Sequence, residues 1–329
     1  MTRSVAIVGA GQIGFAAAQA FMTSGSDVRI LARTRPLWHH DRDTRFERYV
    51  VGEDPAPSAD VVLDTIAYDE EDVARYDPDT IGRLITISSA SVYIDYGGRT
   101  LEQAAETGYP DFSDGVTEDQ LTVAPGPASY STRKVRMERT AAERFGGRTT
   151  NIRPGPIYGP WSRHPREWWF VKRIKDRRRV IPLAFDGASV FHTTNVRDIG
   201  ELAVFLTERE LGGSYNIADD YAPSVKEIGQ TIAEAFGKRI RFYGIEGPPL
   251  GTVGRTPWSL PMPFEINCGK AYSAGFDRFS NYASDVAEAV DWLRAQRFDD
   301  WRSAFPQLAS YPWNLFDYDA EDRFFDERL

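Results

Sequence analysis

Tyr130-Ser131-Thr132-Arg133-Lys134 puts a phenol and an ammonium four residues apart. On a helix, those positions share one face. A phenol ordinarily ionises near pH ~10. An adjacent ammonium favours the phenolate and makes the tyrosine a usable acid/base near neutrality. Taken alone, the spacing also occurs by chance in surface pairs. A second group of hydroxyls, Ser88-Ser89-Ala90-Ser91-Val92-Tyr93, follows the apolar run Leu84-Ile85-Thr86-Ile87. A serine there can hydrogen-bond a substrate oxygen and steady its developing charge, or it can simply cap a strand end. The third feature is Gly9-Ala10-Gly11-Gln12-Ile13-Gly14. In this spacing Gly9 permits a tight turn, Gly11 lets the backbone approach a pyrophosphate, and Gly14 lets a helix pack close to a strand. The alternative is a glycine turn with no ligand.

These residues need elements to hold them. Val5-Ala6-Ile7-Val8 reads as a fully buried parallel strand. The glycine turn follows, then a helix pattern through Phe15, Ala18 and Phe21, broken at Gly25. Its N-terminus would face the phosphates with free N–H groups, including those of Gln12 and Ile13. Val28 to Leu31 is the next strand, which completes a strand–helix–strand unit. Val61-Val62-Leu63, Leu84 to Ser88 and Thr149 to Arg153 read as further strands. Tyr130 to Phe145 reads as a helix ending at Gly146-Gly147. Alternating strands and helices predict an α/β protein with a Rossmann-type, doubly wound parallel sheet. Residues 1–165 are expected to form the dinucleotide-binding domain, completed by about 190–218. Residues 166–329 are expected to be a smaller, mainly substrate-binding region with a C-terminal tail. Ser224 is a plausible N-cap for a helix reaching Phe236, 247–263 reads as loop, and Val286 to Leu293 as a helix. The tail after Trp301 is too aromatic to be disordered and should pack onto the body.

The end of the second strand bears on the cofactor. An acid there would bind the ribose 2′-hydroxyl of NAD, but the sequence reads Leu31-Ala32-Arg33-Thr34-Arg35. Arg33 can reach a 2′-phosphate, so NADP(H) is expected. NAD(H) bound without an acidic anchor, with Arg33 facing solvent, stays open.

In chain order, these features resemble the extended short-chain dehydrogenase/reductase family, also called the NAD-dependent epimerase/dehydratase family. The likeness runs from Val5 to about Ala218, with a fainter echo to Leu293. Ser88 to Tyr93 is similar to the family's Ser-Ser-x-x-Val-Tyr, and Arg153 to Pro160 to its Arg-Pro-x-x-x-Tyr-Gly-Pro. Val196-Arg197-Asp198 and Tyr215-Asn216-Ile217 resemble two further segments. The resemblance implies Ser89, Tyr130 and Lys134 as catalytic residues. It implies Gly9, Gly11, Gln12, Ile13, Gly14, Arg33, Thr65, Ala67, Tyr130, Lys134, Pro154, Gly155 and Ile157 as cofactor-binding residues. It also implies a homodimer formed through the helices flanking the site. Four departures matter. The acid after the second strand is missing. Ala90 and Ser91 replace the Asp-Glu of sugar dehydratases, which argues against 4,6-dehydration. Phe191 stands where many nucleotide-sugar members place an arginine on the diphosphate. Ser89 and Tyr130 are 41 positions apart, an unusual length. The segment 95–114 reads as an insertion, either a roof over a substrate pocket or a surface loop.

Hydride transfer to or from a carbonyl or alcohol carbon of a small polar metabolite is therefore the expected activity. A redox-neutral sugar or nucleotide-sugar epimerase with a retained cofactor is the alternative, and a non-catalytic NADP-binding sensor the third reading. With 48 acids against 39 bases and a net charge of -9, nucleic acid and anionic membranes are not expected partners. The basic stretch Arg173 to Arg179 reads as a solvated helix face, with a local basic groove as the alternative. One cysteine, Cys268, excludes an internal disulfide and a multi-cysteine metal site. Adjacent His39 and His40 make a poor chelating pair, so no metal is expected. No apolar run is long enough to span a bilayer. The chain enters a strand at once with no signal peptide, so the cytoplasm is the expected location.

Overall fold

In the computed structural model, residues 2–39, 44–112 and 114–328 are described, and His40 lies outside them. Val5, Ala6, Ile7 and Val8 have no exposed surface. Successive side chains of a strand point to opposite faces, so a strand apolar at every position needs cover on both sides. That cover is present. Val5 and Ile7 pack in one cluster with Ala17, Phe21, Ile199 and Leu202, and Ala6 and Val8 in another with Met137, Ala141 and Phe145.

The main sheet is built from β1 (Ser4–Val8), β2 (Asp27–Ala32), β3 (Arg45–Arg48), β4 (Ala59–Asp64), β5 (Ile81–Ile87) and β6 (Thr149–Pro154). Between them lie α1 (Gln12–Thr23), α2 (Glu70–Ala74), the one-turn α3 (Ala104–Thr107) and α4 (Tyr130–Phe145). Next come β7 (Ile157–Tyr158), α5 (Trp168–Lys175), β8 (Val180–Ala184), β9 (Thr194–Asn195), α6 (Val196–Glu208) and β10 (Gly213–Ile217). The seven-stranded sheet has the order β10-β6-β5-β4-β1-β2-β3 and is parallel throughout. It is the doubly wound Rossmann arrangement, with its switch point between β1 and β4. β10 pairs with β6, and α6 lies on α1. The contact is close because Gly200 has no side chain: a Cβ there would stand 2.8 Å from the Ala16 carbonyl oxygen.

The remaining elements are α7 (Val225–Ala235), β11 (Arg241–Ile245), α8 (Gly269–Ser273), α9 (Tyr282–Asp285), α10 (Ala287–Ala295), α11 (Trp301–Ala304), α12 (Pro306–Ala309) and α13 (Tyr318–Asp326). Ser224 caps α7 as expected, in a capping box with Glu227. A second core joins Trp168, Trp169, Ile228, Trp258, Val290, Phe305 and Leu315, so the aromatic tail does pack onto the body. Trp168 and Trp169 serve this packing. Half-buried Trp161 stacks edge-on with Phe15.

The basic stretch is solvated as expected at Lys175, Arg177 and Arg179, but Arg173 departs from that expectation. Arg173 is fully buried, stacks 3.5 Å from the Trp169 ring centroid, and donates to Glu321 at 2.6 Å. Arg178 pairs with Asp322 on the same tail helix. The acids that neutralise this stretch are far away in sequence, so charge periodicity could not reveal them. No described helix is long and apolar enough to cross a membrane.

Candidate active site

Gly9 adopts φ +103°, a left-handed conformation that favours glycine, and a Cβ there would stand 2.2 Å from Thr65 Oγ1. Thr65 in turn donates its hydroxyl to the Val8 carbonyl at 2.9 Å, which ties the end of β4 to the glycine turn. A Cβ on Gly14 would meet the Gly9 carbonyl oxygen at 2.2 Å. Gly11 differs, because a Cβ there would meet nothing within 4 Å. Two of the glycines thus close the turn, and the third leaves open space in front of α1. Ala32 ends β2, and Arg33 follows it exposed.

Tyr130 opens α4, and Lys134 lies one turn further along it. Lys134 is buried, and its Nζ donates to the Ala67 carbonyl at 2.5 Å and the Ile87 carbonyl at 2.8 Å. It bridges the ends of β4 and β5 from 5.7 Å off the Tyr130 ring centroid. Burial lowers its ammonium to about 8. The expectation that Lys134 brings the Tyr130 phenol down is not met. Burial pushes that hydroxyl up to about 12, with Ser89 as the strongest opposing influence. The residue as a whole still keeps 38 % exposure. Ser89 also accepts from the Ser91 N–H at 3.1 Å, so it caps its strand end as well as facing Tyr130.

The cavity here holds about 590 Å³. Gln12, Ser89, Tyr130, Pro154, Gly155 and Ile157 line it, together with Leu101 and Glu102 from the insertion. The insertion is therefore part of the cavity wall. Glu102 was not foreseen. Its carboxylate accepts from Ser129 Oγ at 2.8 Å, the Tyr130 N–H at 2.9 Å and the Ser131 N–H at 3.1 Å. Burial opposes its charge, yet these bonds hold its carboxyl below the usual range. His164, Arg166, Gln307 and Ser310 complete the far wall and were also missed, because no local pattern connects them to α4. A second cavity of about 600 Å³ lies by Trp168, Lys172 and Trp301 and contains none of these residues.

No protein-family model matches the sequence, and no curated protein matches it either. Solved structures do. UDP-N-acetylglucosamine 4-epimerase from Methanobrevibacter ruminantium M1 aligns over 90 % of this chain and 99 % of its own, at TM-score 0.66 and 15 % identity. WbmH from Bordetella bronchiseptica, in complex with NAD+, aligns over 90 % and 99 %, at 0.65 and 16 %. dTDP-glucose 4,6-dehydratase from Bacillus anthracis, in complex with NAD, aligns over 93 % and 100 %, at 0.63 and 14 %. The chain shares the fold of these proteins, built on the parallel Rossmann-type sheet.

Within that fold, three of the sequence motifs meet. Arg153 donates to Glu138 on α4 through Nε at 2.9 Å and Nη2 at 2.5 Å, and through Nη1 to the Tyr93 hydroxyl at 3.1 Å. Tyr93 passes the chain on to Asn216 Oδ1 at 2.6 Å. This buried network joins α4, β6, β10 and the segment after β5. A nicotinamide dinucleotide fits the residues present. Gly11 leaves room for a pyrophosphate, and Gln12 Oε1 and Ser88 Oγ are buried in the cavity wall without partners. Lys134 holds a cation at the strand ends. Buried polar atoms of this kind call for a polar ligand or water.

Proposed function

We propose that this protein is an NADP(H)-dependent oxidoreductase of the extended short-chain dehydrogenase/reductase type, acting at a carbonyl or alcohol carbon of a small polar metabolite. One observation carries the reading: Ser89 and Tyr130 meet on one cavity beside the glycine turn, with Lys134 buried behind them. Bound nicotinamide would supply or accept the hydride at that carbon. Gly9, Gly11, Gln12, Ile13 and Gly14 would hold the pyrophosphate end, Thr65 and Ala67 the adjoining strand end, and Pro154, Gly155 and Ile157 the nicotinamide side. Arg33 would meet a 2′-phosphate.

Tyr130 handles the proton. A phenol raised to about 12 is protonated at neutral pH, the form that donates to the oxygen of a carbonyl being reduced. Ser89 orients that oxygen and stabilises the charge growing on it. Lys134 keeps a positive charge next to the phenol and favours the phenolate once the proton has left.

A redox-neutral epimerase is the second reading, favoured by the sugar 4-epimerases among the structural neighbours. Native mass spectrometry and absorbance on the purified protein, followed by titration with NADPH and NADH, separate the two. A cofactor that survives purification supports the epimerase. Protein that arrives empty and prefers NADPH supports the reductase, and failure to bind either nucleotide rejects both.

A further inference from the structure

The cavity wall facing Tyr130 holds an arginine with which no acid among the described residues forms an ion pair. Arg166 lines the cavity, and its Nε is buried with no hydrogen-bond partner. Among the described residues its guanidinium forms no ion pair. The chain has 48 acids, and the buried arginines on either side take theirs: Arg153 holds Glu138, and Arg173 holds Glu321. Glu167, next in sequence to Arg166, turns away and accepts from the Tyr282 hydroxyl at 3.5 Å. Arg166 instead lies over the Phe191 ring, 5.9 Å from its centroid. An aromatic face steadies a guanidinium while leaving its N–H groups available. Beside it, His164 Nε2 is also buried without a partner and lines the same cavity. Burial and the Arg166 charge drive that imidazole down to about 2, so it stays neutral and leaves the positive charge to Arg166.

A half-buried cation with an unsatisfied donor is costly unless an acceptor arrives. We propose that Arg166, backed by Phe191 and His164, is the anchor for an anionic group of the substrate, a carboxylate or a phosphate monoester. The substrate is then a small hydroxy or oxo acid, or a phosphorylated equivalent, with its reacting carbon at Tyr130. This rests on the oxidoreductase reading of the same cavity. It differs from a diphosphate grip at the position of Phe191, which this chain cannot form.

The test is ligand-observed NMR titration of the full-length protein with glutarate, glycerol 3-phosphate and the neutral analogue glutaramide. At least one anion should bind saturably and the amide should not. Carboxylate-only or phosphate-only binding supports the proposal and identifies the source. Arg166→Gln should weaken anion binding about tenfold or more, the usual scale for a charge-assisted bond. Arg163→Gln, at an exposed arginine outside the cavity wall, should bind like the parent. If Arg166→Gln does not fold, Arg166→Lys must still weaken binding measurably, because lysine cannot reproduce the bidentate fork. Absence of anion binding, or equal binding by parent and Arg166 variants, overturns the proposal. NADPH oxidation on paired acidic and neutral aldehydes is read separately. Anion binding without turnover rejects the oxidoreductase alone. Turnover of neutral aldehydes without anion binding rejects the anchor alone.

Discussion

Burial outweighs the charges around Tyr130 and pushes its phenol up to about 12. Lys134 is too firmly engaged with two carbonyls to act as a simple surface partner. The roles can be separated by substitution. Tyr130→Phe removes the proton donor and leaves the ring, so turnover should fall about 100- to 10,000-fold. NADPH affinity, read by fluorescence titration, should barely move. Near-normal NADPH oxidation by this variant would remove Tyr130 from the chemistry. Arg33 is an exposed residue just past the end of β2, and the role proposed for it is to meet a 2′-phosphate. Arg33→Ala should weaken NADPH about tenfold relative to NADH. Equal losses for both nucleotides would refute that assignment.

At the scale of elements, α4 is fastened at its start by the insertion. Ser129 caps the helix by accepting from the Thr132 N–H in a capping box, and Glu102 brings a carboxylate to the neighbouring Tyr130 and Ser131 N–H groups. Negative charge is favoured at a helix N-terminus. Tyr130 is the first residue of that turn, so the insertion sets its position as well as walling the cavity. Glu102→Ala should destabilise the fold by about 0.5–2 kcal/mol, the range for a lost N-terminal cap. It should also lower kcat, with Glu102→Gln restoring part of it. Unchanged urea midpoint and kcat in the alanine variant would reduce the insertion to a surface loop.

Over the whole molecule, buried acids couple stability to pH. Burial raises Asp219 from 3.8 to about 8, although it accepts from Thr193 at 2.5 Å and Tyr158 at 3.2 Å. Burial also raises Glu167 to about 7 and Asp198 to about 6. Between the unfolded and folded values, the native state keeps protons that the unfolded chain releases. The stability from these raised values is therefore complete below about pH 4 and is lost as pH rises toward about 8. Urea unfolding midpoints should fall from about pH 5 to about pH 8. Asp219→Asn, which fixes the neutral form, should flatten that slope. An unchanged slope would show that Asp219 does not titrate in this way.

The sequence by itself determined what local pattern can express. Val5 to Val8 demanded a buried parallel strand, the glycine spacing demanded a turn opening a helix, and Ser224 announced α7. The resemblance carried by the motif order implied Ser89, Tyr130 and Lys134 as one site, because each motif is short and tied to its own element. Tertiary structure decided the rest. Arg173 looked solvated until Glu321, 148 positions later, was packed against it. Glu102, His164 and Arg166 joined the cavity only when the insertion and the second core closed around it. The protonation of Tyr130 was likewise out of reach of spacing, since desolvation depends on every element that surrounds the hydroxyl.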